Sequence, residues 1–370
     1  MLDFPAGPHY YKQIGGRINL TGISIEPFRG DYEALEQMAF SAWRDEYGDA
    51  SFPNLYQPDY LKFLFKPVPD KRLLLAAYRG NEIVSFLANL PRSYSLGGKS
   101  CRGVLTCFLV TRREYLRQGL ALAVINEALK LNRRLKYDFA LFYLETGHRS
   151  SLMIQKLKQA GQPVQWVKKM YVLGRVLDLP RVTACEGLKL WERAAVRILG
   201  VARVPKIRPC DAVREYQPKD LDQCLKLLNQ YRDKVRLALV WERDELGWEL
   251  DCPGISETLV YEKAGQLAGL INWSFHQHIG KSTERWAWVN HVAYPGLSEK
   301  ERLDFVESFL SHIRGLNCVG AVEWTKKYYP MAPFYRAHFF PYFRAVNMLA
   351  WNFNPALNLE NIPEVYELQI

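Results

Sequence analysis

The chain has 370 residues, 48% hydrophobic and 24% charged, which is ordinary globular composition at a length sufficient for two domains. No apolar run approaches the roughly 20 residues that span a bilayer, and the N-terminal MLDFPAGPHYYKQ lacks the basic-then-apolar layout of a secretion signal, so a cytoplasmic location is expected. The formal charge of +10 favours an anionic partner, yet the basic residues are spread along the chain and form no nucleic-acid-binding tail, so no DNA partner is expected.

The 7 cysteines are scattered and include no CxxC pair, which argues against a disulfide scaffold and a cysteine zinc site. The aromatic share of 13%, with 10 Trp and 21 Tyr, points to substantial cores or apolar clefts.

In chain order, Ile23–Phe28 reads as a short strand, Tyr32 to Trp43 as a helix, and Pro58–Phe65 as a second helix with proline in a permitted first-turn position. Leu73–Tyr78, the turn Arg79-Gly80-Asn81 and Glu82–Leu90 form an antiparallel hairpin. The next strand is Gly103–Thr111. A helix from Gln118 to Arg134 follows, with Leu120, Val124, Ala128 and Leu131 on one stripe. Phe139–Leu144 is a strand, Ser151–Gly161 a helix and Lys169–Leu177 a closing strand.

The second part repeats this order. Its elements are a helix Lys219–Val235, a hairpin Glu257–Glu262 with Leu267–Phe275, a strand Arg285–Tyr294 and a helix Ser298–Ile313. Strand Cys318–Trp324, helix Ala332–Phe343 and strand Ala345–Phe353 complete it. The repeat is one of element order, without evident sequence identity. It divides the chain into a mixed α/β unit at 1–180, a linker at 181–213 and a second unit at 214–370. Within the linker, Glu186–Val204 is a basic amphipathic helix with Leu188, Trp191, Ala195, Ile198 and Leu199 on its apolar face. A weak membrane-surface contact, an acyl-chain lid and a plain helix packed across both domains are the roles open to it.

The turn Leu116–Ala121 separates an apolar strand from a helix. The first N–H groups of a helix have no intrahelical partners, and they point outward at the positive end of its dipole. This turn offers no Asp, Ser or Thr to cap them. Gly119 and Ala121 keep the backbone approachable, and Arg112, Arg113 and Arg117 add positive charge. That is the construction of a phosphate cradle. The equivalent helix of the second part begins at Ser298 with a Ser-x-x-Glu capping box closed by Glu301, which occupies the same donors. One anion site, in the first part, is expected.

Strand, turn and helix together resemble the GNAT acyltransferase superfamily. Its signature, Gln/Arg-x-x-Gly-x-Gly/Ala, is met here at Gly119 and Ala121, with Leu116 in the first position and Arg117 one residue on. FLVTRREYLRQGLALAVINE further resembles a conserved run of the N-myristoyltransferase family, and YQPDYLKFLFKP resembles that family's Tyr-Ser-Pro-Glu-Phe-Leu helix. The resemblance implies a mixed-sheet α/β fold of two tandem GNAT-like domains. It also implies acetyl-CoA or a longer acyl-CoA as co-substrate, and transfer of the acyl group to an amine of a small molecule or peptide. On the same match, the backbone amides of Phe108 and Leu109 form the oxyanion hole, and Val110, Thr111, Arg112, Arg113, Arg117, Gln118, Gly119, Leu120 and Ala121 hold the cofactor. Glu46, Tyr47 and Asp49 resemble an acidic loop that receives the acceptor.

Acyl transfer to an amine requires carbonyl polarisation, removal of the amine proton and stabilisation of the leaving thiolate. Many GNAT enzymes carry a tyrosine acid on the helix after the fifth strand, where Leu157 stands here. Glu145 and His148 follow that strand, and His148 has the intrinsic pKa of a base near neutrality. The N-myristoyltransferase likeness adds the terminal carboxylate of Ile370. Cys107 reads as a small buried residue. His276 and His278 face one side of a strand without further ligands nearby, so no metal is expected. Two rival readings are an aminoacyl-tRNA-dependent transferase of the peptidoglycan-bridge type and a non-catalytic acyl-CoA-binding protein. The sequence leaves the oligomeric state open.

Overall fold

The computed structural model describes residues 21–48, 50–146, 154, 162–204 and 210–367. Strand β1 (Ile23–Pro27) precedes helix α1 (Tyr32–Tyr47), whose N-cap Asp31 accepts from the Ala34 amide at 2.9 Å. After the short β2 (Phe52–Pro53) comes α2 (Pro58–Phe65), which buries Tyr60, Leu61, Phe63 and Phe65. Strands β3 (Leu74–Arg79), β4 (Glu82–Leu96) and β5 (Lys99–Thr111) form an antiparallel meander, and α3 (Leu120–Arg134) crosses over to β6 (Phe139–Glu145). Strand β7 (Val164–Val176) leads to two short helices, α4 (Leu179–Glu186) and α5 (Leu190–Ile198).

The second part opens with β8 (Val213–Glu215), α6 (Leu221–Arg232), β9 (Leu237–Val240) and α7 (Arg243–Leu250). A meander of β10 (Ser256–Lys263), β11 (Gln266–Ile279) and β12 (Thr283–Ala293) follows, and α8 (Glu299–Gly315) crosses over to β13 (Gly320–Trp324). The short α9 (Ala332–Arg336), β14 (Phe340–Asn352) and β15 (Val365–Tyr366) end the described chain. Each part therefore contains a parallel strand pair joined through a helix, β5 with β6 and β12 with β13. The element-order repeat seen in the sequence is a repeat of architecture.

All strands belong to one 15-stranded sheet, with the main order β1-β3-β4-β5-β6-β14-β7-β13-β12-β11-β10-β8. Strand β14, from the second part, lies between β6 and β7 of the first, while β7 pairs with β13 of the second. The two parts exchange their last strands, and the sheet runs unbroken from one to the other.

The structure departs from the sequence expectations in several places. The β4–β5 hairpin extends well past Leu90, through Pro91 to a tight turn at Gly97 (φ 56°) and Gly98 (φ 81°), a conformation glycine adopts without strain. The tip of β4 then pairs with β9 of the second part. The helix expected over Ala332–Phe343 stops at Arg336. His338 turns the chain at φ 65°, and the residues from Phe340 gain ladder partners in the sheet. The single helix expected over Glu186–Val204 is broken by Gly187, which caps α4 at φ 66°. The expected helix Ser151–Gly161 lies outside the described residues except Ile154. No helix among the described residues is long and apolar enough to cross a membrane.

At the junction of the two parts, Gly320 sits in β13 between β12 and β7. A Cβ there would lie 2.4 Å from the Trp286 ring and 2.7 Å from the Arg175 carbonyl oxygen. Gly320→Ala is expected to destabilise the chain by about 1–3 kcal/mol, because the backbone side of that contact has no room to move. A lowered denaturant midpoint in equilibrium unfolding checks this.

Candidate active site

Strands β5 and β6 pair only from Gly103–Leu105 to Phe139–Leu141 and then diverge. The wedge between them is bordered by Cys107–Thr111 on one side and Phe142–Glu145 on the other. In the ladder with β4, Val110 is opposite Phe86 and Cys107 opposite Ala88, so Phe108 and Leu109 together face the single residue Leu87. This is a β-bulge, and Phe108 holds φ at 58°, an outlier for a bulky residue. Packing keeps it there, since the Phe108 ring meets Tyr56 and Phe65 edge-on at 5.4 and 5.8 Å. Leu109, by contrast, is exposed. Glu145 ends β6 on the other border of the wedge.

The chain leaves β5 through a turn, with Arg117 at φ 61°, and enters α3 at Gly119, whose φ is 84°. Gly119 is the N-cap and supplies no side-chain bond, and the first turn contains no acid. Among the described residues no side chain caps the leading amides of α3, as the sequence suggested. Arg112 and Arg113 are engaged elsewhere: Arg112 bonds to the Ile83 carbonyl at 2.8 Å and to Glu82 at 3.1 Å, and Arg113 pairs with Asp45 at 3.2 Å. Arg117 is exposed beside the turn. Gln118 donates its side-chain amide to the Glu114 carbonyl. Val110 and Thr111 are buried, with the Val110 carbonyl and Thr111 hydroxyl both bonded to Ser85 Oγ at 2.8 Å, so they brace the strand. Leu120 is buried and Ala121 half-buried at the helix start.

The corresponding region of the second part is closed. Ser298 and Glu301 form the expected capping box at α8, the Ser298 amide donating to Glu301 at 2.7 Å. Glu301 also accepts from Lys263, and with its bonds to Ser298 this holds its carboxyl down at about 2. Where β12 and β13 diverge, the buried Lys326 ammonium donates to the Val289 and Asn290 carbonyls at 3.2 and 3.0 Å and pairs with Glu323. A lysine and a glutamate three residues apart fill the second wedge; at the first, the buried Arg92–Glu367 pair acts on Cys107 of one border and Tyr143 of the other.

Beside the bulge lies a charged interior that sequence reasoning missed. Arg92, on the β4 extension, makes a buried ion pair with Glu367 near the end of the chain. Strand β15 is fixed alongside: Trp241 Nε1 donates to the Tyr366 hydroxyl at 2.8 Å, and that hydroxyl bonds His291 Nδ1 at 3.1 Å. Arg92 also lines a cleft with Phe63, Trp241, Glu245, Trp248 and Glu249. The two carboxylates are one turn apart on α7 and share a face. Glu249 is buried and its carboxylate has no hydrogen-bond or ion-pair partner among the described residues; burial raises it to about 7. Tyr60 lies within electrostatic reach of Glu249, Arg92 and the Cys107 side chain, which places the cleft against the strand that carries the bulge. Arginine inside an otherwise apolar strand run was the one local signal of this site. Its partner, 275 residues away, has none.

The remaining expected residues are placed as follows. Glu46 and Tyr47 belong to the last turn of α1, not to a loop. Asp49, His148 and Ile370 lie outside the described residues. The Cys107 thiol is pushed well above its usual range by burial and stays protonated. His276 is buried, bonded to Ser274 at 2.9 Å and brought down to about 3 by burial, while His278 stacks on Trp286. Among the described residues no group of His, Cys, Asp and Glu is arranged to hold a metal ion.

No family model matches the sequence, and no curated protein resembles it in sequence. Solved structures do resemble it in fold. N-myristoyltransferase from Saccharomyces cerevisiae, in a structure with bound myristoyl-CoA, superposes with a TM-score of 0.77 at 13% identity, covering 95% of this chain and 90% of that one. A second structure of the yeast enzyme, with myristoyl-CoA and inhibitors, gives 0.76 over 95% and 87% at 13% identity. A GCN5-related N-acetyltransferase from Kribbella flavida gives 0.54 at 13% identity over 91% and 73%. The fold is the mixed α/β, tandem GNAT-like fold with the N-myristoyltransferase architecture.

The raised Glu249 carboxyl has a consequence for pH-dependent stability. Its folded value, about 7, exceeds the ordinary 4.5, so the folded chain binds more protons than the unfolded chain between those values. The stabilisation is present below 4.5 and is lost as pH rises through 7. Glu249→Gln removes this loss. The variant is expected to gain roughly 2 kcal/mol relative to the parent as pH rises across that window. Paired denaturation curves at the two ends of the window measure it.

Proposed function

We propose that the chain is an acyl-CoA-dependent N-acyltransferase, taking an acetyl or longer acyl group from the thioester to an amine. One observation carries the reading. The first wedge ends in a strained bulge followed by a bare helix N-terminus, while the second is filled by Lys326 and Glu323 and capped by Ser298. The likeness in fold to an enzyme crystallised with myristoyl-CoA supports an acyl-CoA as co-substrate.

On this reading the Gly119, Leu120 and Ala121 amides receive the pyrophosphate, with Arg117 supplying charge at the rim. The pantetheine chain runs in the wedge. The amides of Phe108 and Leu109, released from the ladder by the bulge, polarise the thioester carbonyl and hold the oxyanion. Glu245 and Glu249 hold the acceptor's ammonium in the cleft, against the indoles of Trp241 and Trp248. The acceptor's ammonium gives one proton to solvent, and Glu145, at the end of β6 on the other border of the wedge, takes a second as the amine attacks. As the new C–N bond forms and the C–S bond breaks, Glu145 returns that proton to the departing sulfur and CoA leaves as the thiol.

Calorimetric titration with CoA, acetyl-CoA and a long-chain acyl-CoA tests the reading, and absence of binding by all three overturns it. Gly119→Asp places a capping carboxylate on the bare amides and is expected to weaken CoA binding by about tenfold or more, through lost donors and charge repulsion. Glu145→Gln is expected to reduce kcat by about a hundredfold or more and leave CoA affinity within twofold.

A further inference from the structure

Helix α5 (Leu190–Ile198) is attached to the molecule by one side. Val196 is half-buried and packs, with Leu188 before the helix and Ala202 after it, against a cluster that includes Val182, Val201, Trp286 and Val319. The loop that follows is held firmly. The buried Arg175 guanidinium donates to the carbonyls of Val201 and Arg203 as well as to Ala337 at 2.9 Å.

At 100° per residue, the side of the helix opposite Val196 carries Leu190, Ala194 and Ile198, each one turn from the next, with Trp191 beside them. These are the residues a soluble helix buries, yet Leu190 is 79% exposed, Trp191 64% and Ile198 84%. Of the apolar face expected from the sequence, Trp191, Ile198 and Leu199 point outward, whereas Leu188 packs against the protein and Ala195 is half-buried. Arg193 and Arg197, one turn apart, line one flank of this ridge, and Lys189 and Arg203 stand exposed at either end. Glu192 is occupied in the helix cap, accepting from the Lys189 amide at 2.6 Å.

We infer that α5 is a membrane-docking helix, which inserts its Leu190–Trp191–Ile198 ridge into the surface of an anionic bilayer while Arg193 and Arg197 engage lipid headgroups. An apolar ridge with a basic flank, on a chain of net charge +10, complements a surface that is apolar within and negative at its headgroups. Burial about 5–10 Å deep would cover the ridge while Val196 remains on the protein. A second copy of the chain is a poorer occupant. A two-fold contact through the ridge would gather the Arg193 and Arg197 rows of both copies around one apolar seam without adding acidic partners. The inference is independent of which reaction the interior performs.

Co-sedimentation of the full chain with vesicles of phosphatidylcholine alone, or mixed with phosphatidylserine, tests it. Binding is expected to the mixed vesicles, weakening as salt is raised. Trp191→Glu with Ile198→Glu is expected to weaken it by about tenfold or more, and Arg193→Gln with Arg197→Gln by a similar factor on anionic vesicles only. Trp191, Arg197 and Ile198 are exposed and Arg193 is half-buried, so unchanged thermal unfolding of each variant serves as the folding control. The inference is overturned by no binding to the anionic vesicles, by binding that the ridge variant leaves intact, or by a dimer in solution that the ridge variant abolishes.

Discussion

Two parallel strands that diverge leave backbone N–H and C=O groups facing a gap, and buried groups of that kind must find partners. The rest of this structure is arranged around that requirement. In the second part, the gap between β12 and β13 is satisfied from within: Lys326 reaches the Val289 and Asn290 carbonyls, and Glu323 balances its charge. In the first part, the buried Arg92–Glu367 pair acts on Cys107 at one border of the gap and Tyr143 at the other, and the bulge at Phe108 interrupts the β4–β5 register beside it. The exchange of β7 and β14 makes this tolerable, because β14 takes the far edge of β6 along its whole length. Only the edge facing β5 is left to a ligand.

Charge inside the molecule follows the same logic. An ionised group removed from water is costly unless paired, and losing one partner of a buried pair costs more than the pair contributes. Arg92 has Glu367, and Lys326 has Glu323 together with two carbonyls. The Arg92–Glu367 pair joins residues 275 apart and so favours this arrangement of the two parts, whereas Lys326, three residues from Glu323, ties the end of β13 to the carbonyls of β12. Glu249 does not conform: it is buried without a bonded partner among the described residues, and Arg92, which lines the same cleft and draws its carboxyl down, is itself paired with Glu367.

What could be read from the sequence was whatever depended on neighbours a few residues away. The stripe Leu120–Leu131 gave α3, the glycine-turned hairpin gave β3 and β4, and Ser298 with Glu301 gave the cap of α8. The absence of a cap at Gly119 was legible for the same reason. Strand exchange was not, because β14 has the same alternating pattern whether it pairs with β13 or with β6. Nor was the site interior: Arg92 and Glu367 are opposite ends of one contact only after folding, and Glu245 and Glu249 look like an ordinary solvated helix face until α7 docks. The apolar stripe of α5 was visible, but not its direction. A period identifies a face, and only tertiary contact determines what that face meets.

On the proposed reading, the turn before α3 departs from the motif's pattern and keeps its backbone donors. Leu116, 49% exposed, occupies the position where Gln or Arg is expected, and its side chain contributes neither charge nor a hydrogen bond. Arg112 and Arg113, upstream of it, are held by Glu82, Ile83 and Asp45. If side-chain charge were the main attraction for phosphate, this turn would be a poor site. The donors that remain are backbone amides, fixed in direction by the left-handed turns at Arg117 and Gly119 and polarised by α3 behind them. Because these groups are preorganised and have no side-chain cap among the described residues, an anion held as proposed would cost them no existing cap. The ion pairs of Arg112 and Arg113 hold β5 and α1 against the rim and keep its geometry in place. Charge at the site is then left to Arg117, one residue beyond Leu116, on a turn whose conformation is set by the backbone.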